Sequence, residues 1–159
     1  MKFSLINRLS DFEFHDAEFY LKSYENDTLC VTAKHLNVHK GAKENPNDYD
    51  MEIQSAEISF QQTQICSFAP LQTYRRSKDG SWHADEPPIA CSGEEAKDNV
   101  ITALNKGISL NCIDTRKDKE STILQLTAND GFVVEICFEN VIVAWDEYTG
   151  KAWYEMQQQ

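Results

Sequence analysis

Apolar and polar residues alternate with a period of two along this chain, and this pattern constrains its fold more than any other feature. In residues 121–128, for example, Leu124, Leu126 and Ala128 share one face. That period is typical of a β-strand with one buried face. An Asn-Asp-Gly sequence at residues 129–131 follows at once and is the strongest hairpin-turn signal in the chain. The pattern therefore predicts antiparallel strands joined by tight turns.

Further alternating segments predict about eight strands in hairpin order. Residues 12–24 and 28–39 surround an Asn-Asp turn, which predicts the first hairpin. A polar loop is expected over residues 40–50. The apolar phase changes inside residues 12–24 and again inside residues 51–60. A phase change within a strand predicts a β-bulge at each place.

Three segments lack this alternation. Residues 73–92 contain Asp-Gly and Pro-Pro pairs and are expected to be irregular. Residues 114–120 are mostly charged and predict a loop. A Thr-Gly pair at residues 149–150 predicts another tight turn.

One helix is expected between Ser92 and Gly107. Ser is a preferred N-cap, acidic residues follow in the first turn, and Gly is a preferred helix end. Apolar residues recur at helical spacing at Ala96, Val100, Ala103 and Leu104. Residues 1–159 are thus expected to form a single domain, mainly β with one helix (α+β), built as an antiparallel curved sheet, an open barrel or a small sandwich. Residues 155–159 are expected to be a frayed tail.

An excess of acidic residues constrains the choice of partner. The chain has 26 Asp and Glu against 15 Lys and Arg, a formal net charge of −11. Binding to nucleic acid or to an anionic membrane needs a cationic face, so neither partner is expected. An acidic surface instead attracts cationic proteins, which makes a basic protein the expected partner.

The cysteines indicate a reducing compartment. They are odd in number and contain no CxxC pair: Cys30, Cys66, Cys91, Cys112 and Cys137. This usage predicts free thiols without disulfides. Asn7 and Arg8 interrupt the apolar residues at the start of the chain, so no secretory signal is expected there. We therefore expect a cytoplasmic protein.

The histidines do not predict a metal or cofactor site. His15 and Asp16 are adjacent in a strand-like segment, and neighbouring strand residues point to opposite faces, so these two are badly placed to bond each other unless a bulge intervenes. We interpret them as a structural polar pair at a strand kink. His35 and His39 share a face. Residues four apart in a strand are separated by about 13 Å, which is too far for one metal ion unless the strand ends before His39. No metal and no cofactor are expected.

Two further groups of residues could carry chemistry. Asp48, Asp50 and Glu52 alternate at the start of a strand, a pattern that we interpret as a solvated edge rather than a Ca²⁺ site. Cys91 precedes the helix and His83 lies eight residues upstream, which leaves an enzyme that uses Cys91 with His83 or His15 as one alternative. No motif of a known catalytic class accompanies them, so a non-enzymatic protein is the main hypothesis.

Aromatic and acidic residues are concentrated near the end of the chain. Trp and Tyr give large, stiff contact areas and are enriched at interaction hot spots. The sequence therefore predicts a protein-binding surface that consists of Asp146, Glu147, Tyr148, Trp153 and Glu155, with Trp82 as a further contact. Two alternatives remain open. Trp145 and Trp153 could pack across a terminal hairpin, or Trp82 and Trp153 could line a pocket for a small molecule or carbohydrate.

A short opening motif carries a resemblance to known families. Phe-His-Asp-Ala-Glu at residues 14–18, Leu-Cys-Val at residues 29–31 and Ile-Ser-Phe at residues 58–60 resemble elements of small bacterial β-rich families. Some of these families are similar to immunity proteins of polymorphic toxin systems, which bind and neutralise a cognate toxin. The resemblance implies a bacterial, non-enzymatic binding protein. It assigns no individual site residue, and residues 74–92 have no counterpart in it.

Overall fold

The computed structural model describes residues 1–158 and is mainly β with one α-helix, as the sequence predicts. Within this range there are fifteen strands, one α-helix and two 3₁₀ helices. The strands, numbered along the chain, are β1 Phe3–Ile6, β2 Phe12–Glu13, β3 Glu18–Glu25, β4 Thr28–Lys34, β5 Leu36–Val38, β6 Met51–Ile53, β7 Ala56–Gln61, β8 Gln64–Pro70, β9 Tyr74–Arg76, β10 Trp82–Ala84, β11 Ile108–Asp118, β12 Ser121–Ala128, β13 Phe132–Phe138, β14 Asn140–Trp145 and β15 Tyr148–Lys151. Helix α1 is Gly93–Lys106, and the 3₁₀ helices are Leu9–Asp11 and Trp153–Gln158. The tail predicted at residues 155–159 begins inside the second 3₁₀ helix, and residue 159 lies outside the described residues.

The strands form three antiparallel sheets. The largest has nine strands in the order β1-β14-β7-β4-β3-β11-β12-β13-β8. A second sheet has four strands in the order β15-β6-β5-β2, and β9 and β10 form a separate pair. The pairings of β14 with β7 and of β11 with β3 join segments that are distant in sequence. The strands are therefore more numerous than the sequence indicates, and their order is not a simple succession of hairpins.

The two phase changes in the sequence mark places where the chain passes from one sheet to another. β2 lies in the four-stranded sheet and β3 in the nine-stranded sheet, and between them Asp16 has a φ of 66°. β6 and β7 are divided between the same two sheets at residues 54–55. The chain therefore breaks between two sheets at the places where the sequence predicts bulges. Each sheet has its own buried face, so the apolar phase changes when the chain passes from one sheet to the other.

The three segments without alternation are more regular than the sequence indicates. β11 continues to Asp118, opposite Ser121 on β12, and its charged side chains are exposed, so no apolar phase marks this strand. β9 pairs with β10 inside the segment that is expected to be irregular. The tight turn predicted at residues 149–150 is wrong, since both residues lie in β15, whose register shifts there.

The first hairpin and the helix are confirmed. Asn26 and Asp27 have φ values of 48° and 56° between β3 and β4, the left-handed conformation that a two-residue hairpin turn needs. Helix α1 begins after Ser92 and ends before Gly107, and it packs against β8 and β3. Its buried residues are Ala96, Val100 and Leu104. None of the helices in residues 1–158 is long and apolar enough to cross a membrane.

An aromatic core lies under the four-stranded sheet. Trp145 is fully buried, and its ring is stacked on Phe3 at a centroid distance of 5.5 Å. Phe12 of β2 meets the same indole edge-on at 5.7 Å. Trp153 instead meets the neighbouring Tyr154 ring at 5.6 Å. Because side chains alternate along a strand, β2 turns Phe12 into the core and its other residue, Glu13, to the opposite face.

Candidate functional site

Three polar side chains form a row across the outer face of the four-stranded sheet. Glu13 on β2 is paired with Asn37 on β5, and Asn37 is paired with Glu52 on β6. Directly paired residues project from the same face, and neighbouring strands lie about 4.8 Å apart. One amide therefore stands between two carboxylates. Leu36 and Val38, on either side of Asn37 in sequence, are buried in the core, so the row faces away from it.

The C-terminal 3₁₀ helix lies beside this row and leaves a cleft. The Ala152 backbone N–H donates to the Asp50 carbonyl at 2.9 Å, which holds the start of this helix against the residue before β6. Trp153 is 45% exposed and lines two adjoining cavities of about 400 and 360 Å³, which also share His15. We call this region the Trp153 cleft. Its walls consist of Glu13, His15, Asp16, His35, Asn37, Glu52, Trp153 and Tyr154.

Asn37 has an unmet hydrogen-bonding requirement at this cleft. The residue is 2% exposed, and its Oδ1 atom is buried without a hydrogen-bond partner. Leaving a buried acceptor unpaired costs about 1–3 kcal/mol, and most buried polar groups in proteins are paired. The side chain lines the larger of the two cavities. A ligand with N–H donors would meet the requirement that the protein itself leaves unmet.

His15 and Asp16 lie close together at the break between β2 and β3. The break at Asp16 removes the strand geometry, and His15 Nε2 lies 3.6 Å from Asp16 Oδ2. His15 Nδ1 lies 2.8 Å from the Asn111 carbonyl, which can only accept, so Nδ1 carries the proton. The bond to Asn111, and next the charges of Asp16 and Glu13, raise the pKa of His15 above 6.5.

His35 and His39 each have a carboxylate of their own. His35 Nδ1 lies 3.2 Å from Glu52 Oε1, and His39 Nδ1 lies 2.8 Å from Asp50 Oδ2. The chain breaks at His35 and β5 ends at Val38, so the two histidines do not lie in one continuous strand, and each imidazole contacts a different carboxylate. Within residues 1–158, no three His, Cys, Asp or Glu side chains are grouped so that they could hold a metal ion.

Asp50 is buried, although the acidic pattern around it suggests a solvated edge. β6 pairs with β5 on one side and with β15 on the other, so it is not an edge strand. The carboxylate accepts hydrogen bonds from the Lys40 backbone N–H at 2.7 Å, from His39 Nδ1 at 2.8 Å and from the Tyr154 hydroxyl at 2.8 Å. Burial opposes ionisation of Asp50, but these bonds outweigh it and lower its pKa.

Burial and the bond to Asp50 raise the pKa of Tyr154. The network fixes Tyr154, and with it the position of Trp153.

The chemical character of the Trp153 cleft is that of an anionic acceptor site. Glu13, Asp16 and Glu52 supply carboxylates, His15 and His35 lie beside Asp16 and Glu52, and none of the described wall residues is a lysine or arginine. An indole beside carboxylates can hold a cation by charge and by cation–π attraction. No protein-family model, curated protein or solved structure matches this chain.

The predicted surface residues of β15 and its preceding turn lie outside the cleft walls. Asp146 is exposed and accepts a hydrogen bond from the Lys2 backbone N–H at 2.7 Å. Glu147 is exposed as well. Tyr148 is half-buried, and its hydroxyl donates to the Glu44 carbonyl at 2.7 Å, so it has a structural partner.

The other three predicted surface residues are placed differently from one another. Trp153 lines the cleft. Glu155 is half-buried and accepts a hydrogen bond from the Asp50 backbone N–H at 3.2 Å, which supports the 3₁₀ helix. Trp82 is 66% exposed on β10, in a different sheet. Of the six predicted residues, the structure thus places only Trp153 among the described walls of the cleft.

The cysteine alternative gains no support from the geometry. The Cys91 thiol donates to the Phe68 carbonyl at 3.3 Å and accepts from Asn99 Nδ2 at 3.4 Å. His83 Nε2 is hydrogen-bonded to Ser81 Oγ at 2.8 Å. Among the hydrogen bonds of the described residues, none joins Cys91 to an imidazole.

A larger cavity of about 440 Å³ lies at the start of α1, where Lys97, Glu94 and Tyr24 have partners within the chain. Lys97 Nζ lies 3.4 Å from Glu94 Oε2 and 5.6 Å from the centre of the Tyr24 ring. The Tyr24 hydroxyl donates to the Thr63 carbonyl at 3.1 Å. The Trp153 cleft is therefore the better candidate, since it alone of these two combines an exposed indole with an unpaired buried acceptor.

The sequence pattern does not mark Glu13 and Asn37 as residues of a functional site. One local feature does distinguish Asn37, which is a polar residue between the apolar residues Leu36 and Val38. A buried polar position of that kind calls for a partner. The identity of its neighbours depends on the pairing of β2, β5 and β6, which no local pattern reveals.

Proposed function

We propose that this chain is a non-enzymatic protein-binding domain that neutralises a basic partner, in the manner of the immunity proteins that it resembles. The observation that carries the proposal is the Trp153 cleft, where a 45% exposed indole stands beside three carboxylates. Exposed Trp residues next to charged groups are typical of interaction hot spots. A partner that covers the cleft would be held there by charge, by aromatic contact and by hydrogen bonds to acceptors.

The charge of the whole chain supports the same kind of partner. A net charge of −11 attracts a cationic protein from a distance and accelerates encounter, most strongly at low salt. We place this function in the cytoplasm of a bacterium. All five cysteines carry free thiols, which is typical of a reducing compartment.

A second candidate is a binding module for a small molecule or carbohydrate. The two adjoining cavities of about 400 and 360 Å³ have the size of ligand sites, and the indole of Trp153 could stack on a sugar ring. The salt dependence of binding distinguishes the two candidates. Binding of a neutral sugar would change little with salt, whereas binding of a basic protein to the carboxylates would weaken strongly as the salt concentration rises.

The test is quantitative capture of basic proteins from the native host on the immobilised chain. Three forms are compared: wild type, Glu13→Gln with Glu52→Gln, and the control Asp98→Asn with Asp130→Asn. Asp98 and Asp130 are exposed and lie on α1 and in the β12–β13 turn, so the control loses the same charge outside the cleft. Capture is measured at about 50 mM and about 500 mM salt, where charge screening differs strongly.

We expect one basic protein to be retained by wild type and by the control at low salt, and to be lost from the cleft variant. Purified complex should also block the activity of that protein, because a neutralising domain covers the surface that its partner uses. Equal capture by the cleft variant and the control would contradict the proposal, and so would a retained partner that is acidic.

A further inference from the structure

The row Glu13–Asn37–Glu52 has the layout of a receptor for a planar cation. Its two carboxylates are on strands that flank the strand of Asn37, so they stand on opposite sides of the amide. Glu13 Oε1 already accepts a hydrogen bond from the His15 backbone N–H at 2.8 Å, and Glu52 Oε1 faces His35 at 3.2 Å. Each carboxylate has a second oxygen that can accept from a ligand.

The buried side chain of Asn37 also indicates a ligand, independently of the two carboxylates. It is 2% exposed, it lines the cleft, and its buried Oδ1 has no partner. A residue kept for packing alone at this place would be apolar, like its neighbours Leu36 and Val38. The unpaired amide oxygen needs a donor that can reach between two carboxylates.

Trp153 supplies the apolar wall of the same space. Its indole lines both halves of the cleft, and Tyr154 beside it is held by the hydrogen bond of its hydroxyl to Asp50 at 2.8 Å. An arginine guanidinium can stack on an indole face and still direct several N–H groups in one plane toward acceptors. A lysine ammonium is more strongly hydrated and lacks that planar fork.

We propose that the Trp153 cleft binds one arginine side chain of the basic partner. The guanidinium stacks on Trp153, donates to Asn37 Oδ1, and lies between the carboxylates of Glu13 and Glu52. The inference rests on the proposed function and deepens it, because it names the chemical group of the partner that the cleft recognises. Arginine would be the side chain that discriminates this partner from other basic proteins.

The test uses a probe that needs no knowledge of the partner. N-acetyl-arginine amide is titrated into the full chain, and backbone amide signals of residues 36–38 and 153–154 are followed by NMR. N-acetyl-lysine amide and the neutral isostere N-acetyl-citrulline amide are the matched probes. We expect saturable shifts with arginine and affinity at least about tenfold weaker with citrulline, since charge-assisted hydrogen bonds are lost. Equal affinity for arginine and citrulline would overturn the inference.

Variants of the chain test the named residues. Trp153→Ala and Asn37→Leu are each expected to weaken arginine binding about tenfold, whereas Trp82→Ala leaves it unchanged. Asn37→Leu is also expected to keep or raise the melting temperature, because it removes an unpaired buried acceptor. This stability measurement separates a lost contact from a lost fold. Unchanged arginine binding in a folded Asn37→Leu variant would overturn the inference.

The two proposals can fail separately. If the arginine probe binds but no basic protein is captured, the proposed function fails and the arginine site stands. If a basic protein is captured and its binding is unaffected by Asn37→Leu and Trp153→Ala, the proposed function stands and the arginine site fails.

Discussion

Asp50 and Asn37 are both buried polar residues, but their hydrogen bonding differs. The Asp50 carboxylate accepts from three donors, while Asn37 Oδ1 accepts from none. The sequence around Asp50 is acidic and polar, which indicates a solvated position. Its burial depends on Tyr154, a residue about one hundred positions away, and on the pairing of β15 with β6. A local pattern cannot predict burial that a distant segment creates.

Replacing Asp50 with Asn removes the charge that its three donors share. We expect the free energy of unfolding at neutral pH to fall by about 2 kcal/mol, the usual size of hydrogen bonds to a charged group. Because folding lowers the pKa of Asp50, its stabilisation is fully present above pH 3.8 and is lost as the pH falls below that value. Urea unfolding of both forms at neutral and acid pH measures the difference.

Asp48→Asn is the matched control for that variant. Asp48 is exposed two residues earlier, and its replacement is expected to change stability by less than about 0.5 kcal/mol. Equal stability of the two variants at neutral pH would show that the Asp50 network does not stabilise the fold.

The pKa of His15 depends on the carboxylate beside it. The Asn111 carbonyl and the charge of Asp16 raise that pKa above 6.5, so Asp16→Asn is expected to lower it. Because folding raises the pKa of His15, the protonated imidazole stabilises the folded state below pH 6.5. That contribution is lost as the pH rises through the pKa of His15 in the folded state. NMR titration of the imidazole signals in both forms measures the shift. A His15 pKa that stays the same in the variant would contradict the geometry at Asp16.

At the scale of elements, alternation predicts strands well where one face is buried. It identifies the buried face of β12, and helical spacing identifies that of α1, because both elements bury a continuous stripe of apolar residues. It fails for the second half of β11, whose side chains are exposed on both faces. The two phase changes also depend on which face is buried. The buried face changes where the chain passes from one sheet to the other, and in the sequence this change resembles a bulge.

The end of α1 provides a prediction at the same scale. Gly107 has a φ of 95°, and a Cβ atom there would lie 2.5 Å from Cε1 of Tyr20. Gly131 has a φ of 88°, but a Cβ there would meet no atom within 4 Å. We expect Gly131→Ala to cost about 1 kcal/mol from backbone strain, and Gly107→Ala to cost about 2–4 kcal/mol because the clash is added.

Urea unfolding of the two glycine variants gives the comparison directly. The clash with Tyr20 predicts a larger loss of unfolding free energy for Gly107→Ala, and the extra loss should shrink when Tyr20 is also replaced with Ala. Similar losses in both single variants would show that the helix end tolerates a side chain.

At the scale of the whole molecule, pairings between distant strands assemble the site. The cleft combines β2, β5, β6 and the 3₁₀ helix, which supply Glu13, Asn37, Glu52 and Trp153. The mainly β class, the antiparallel pairing and the single helix follow from local patterns. The order of the nine-stranded sheet and the Trp153 cleft do not, because both depend on which distant segments meet.

A basic partner that covers the Trp153 cleft would change the environment of one indole N–H group out of three, and a single NMR spectrum resolves all three signals. Trp153 lies in the cleft, Trp82 is exposed in another sheet, and Trp145 is buried in the core. When a basic protein captured from the native host is added to the isotope-labelled chain, we expect the Trp153 signal to shift or broaden while the Trp82 and Trp145 signals stay in place. A change at Trp82 with no change at Trp153 would contradict this prediction.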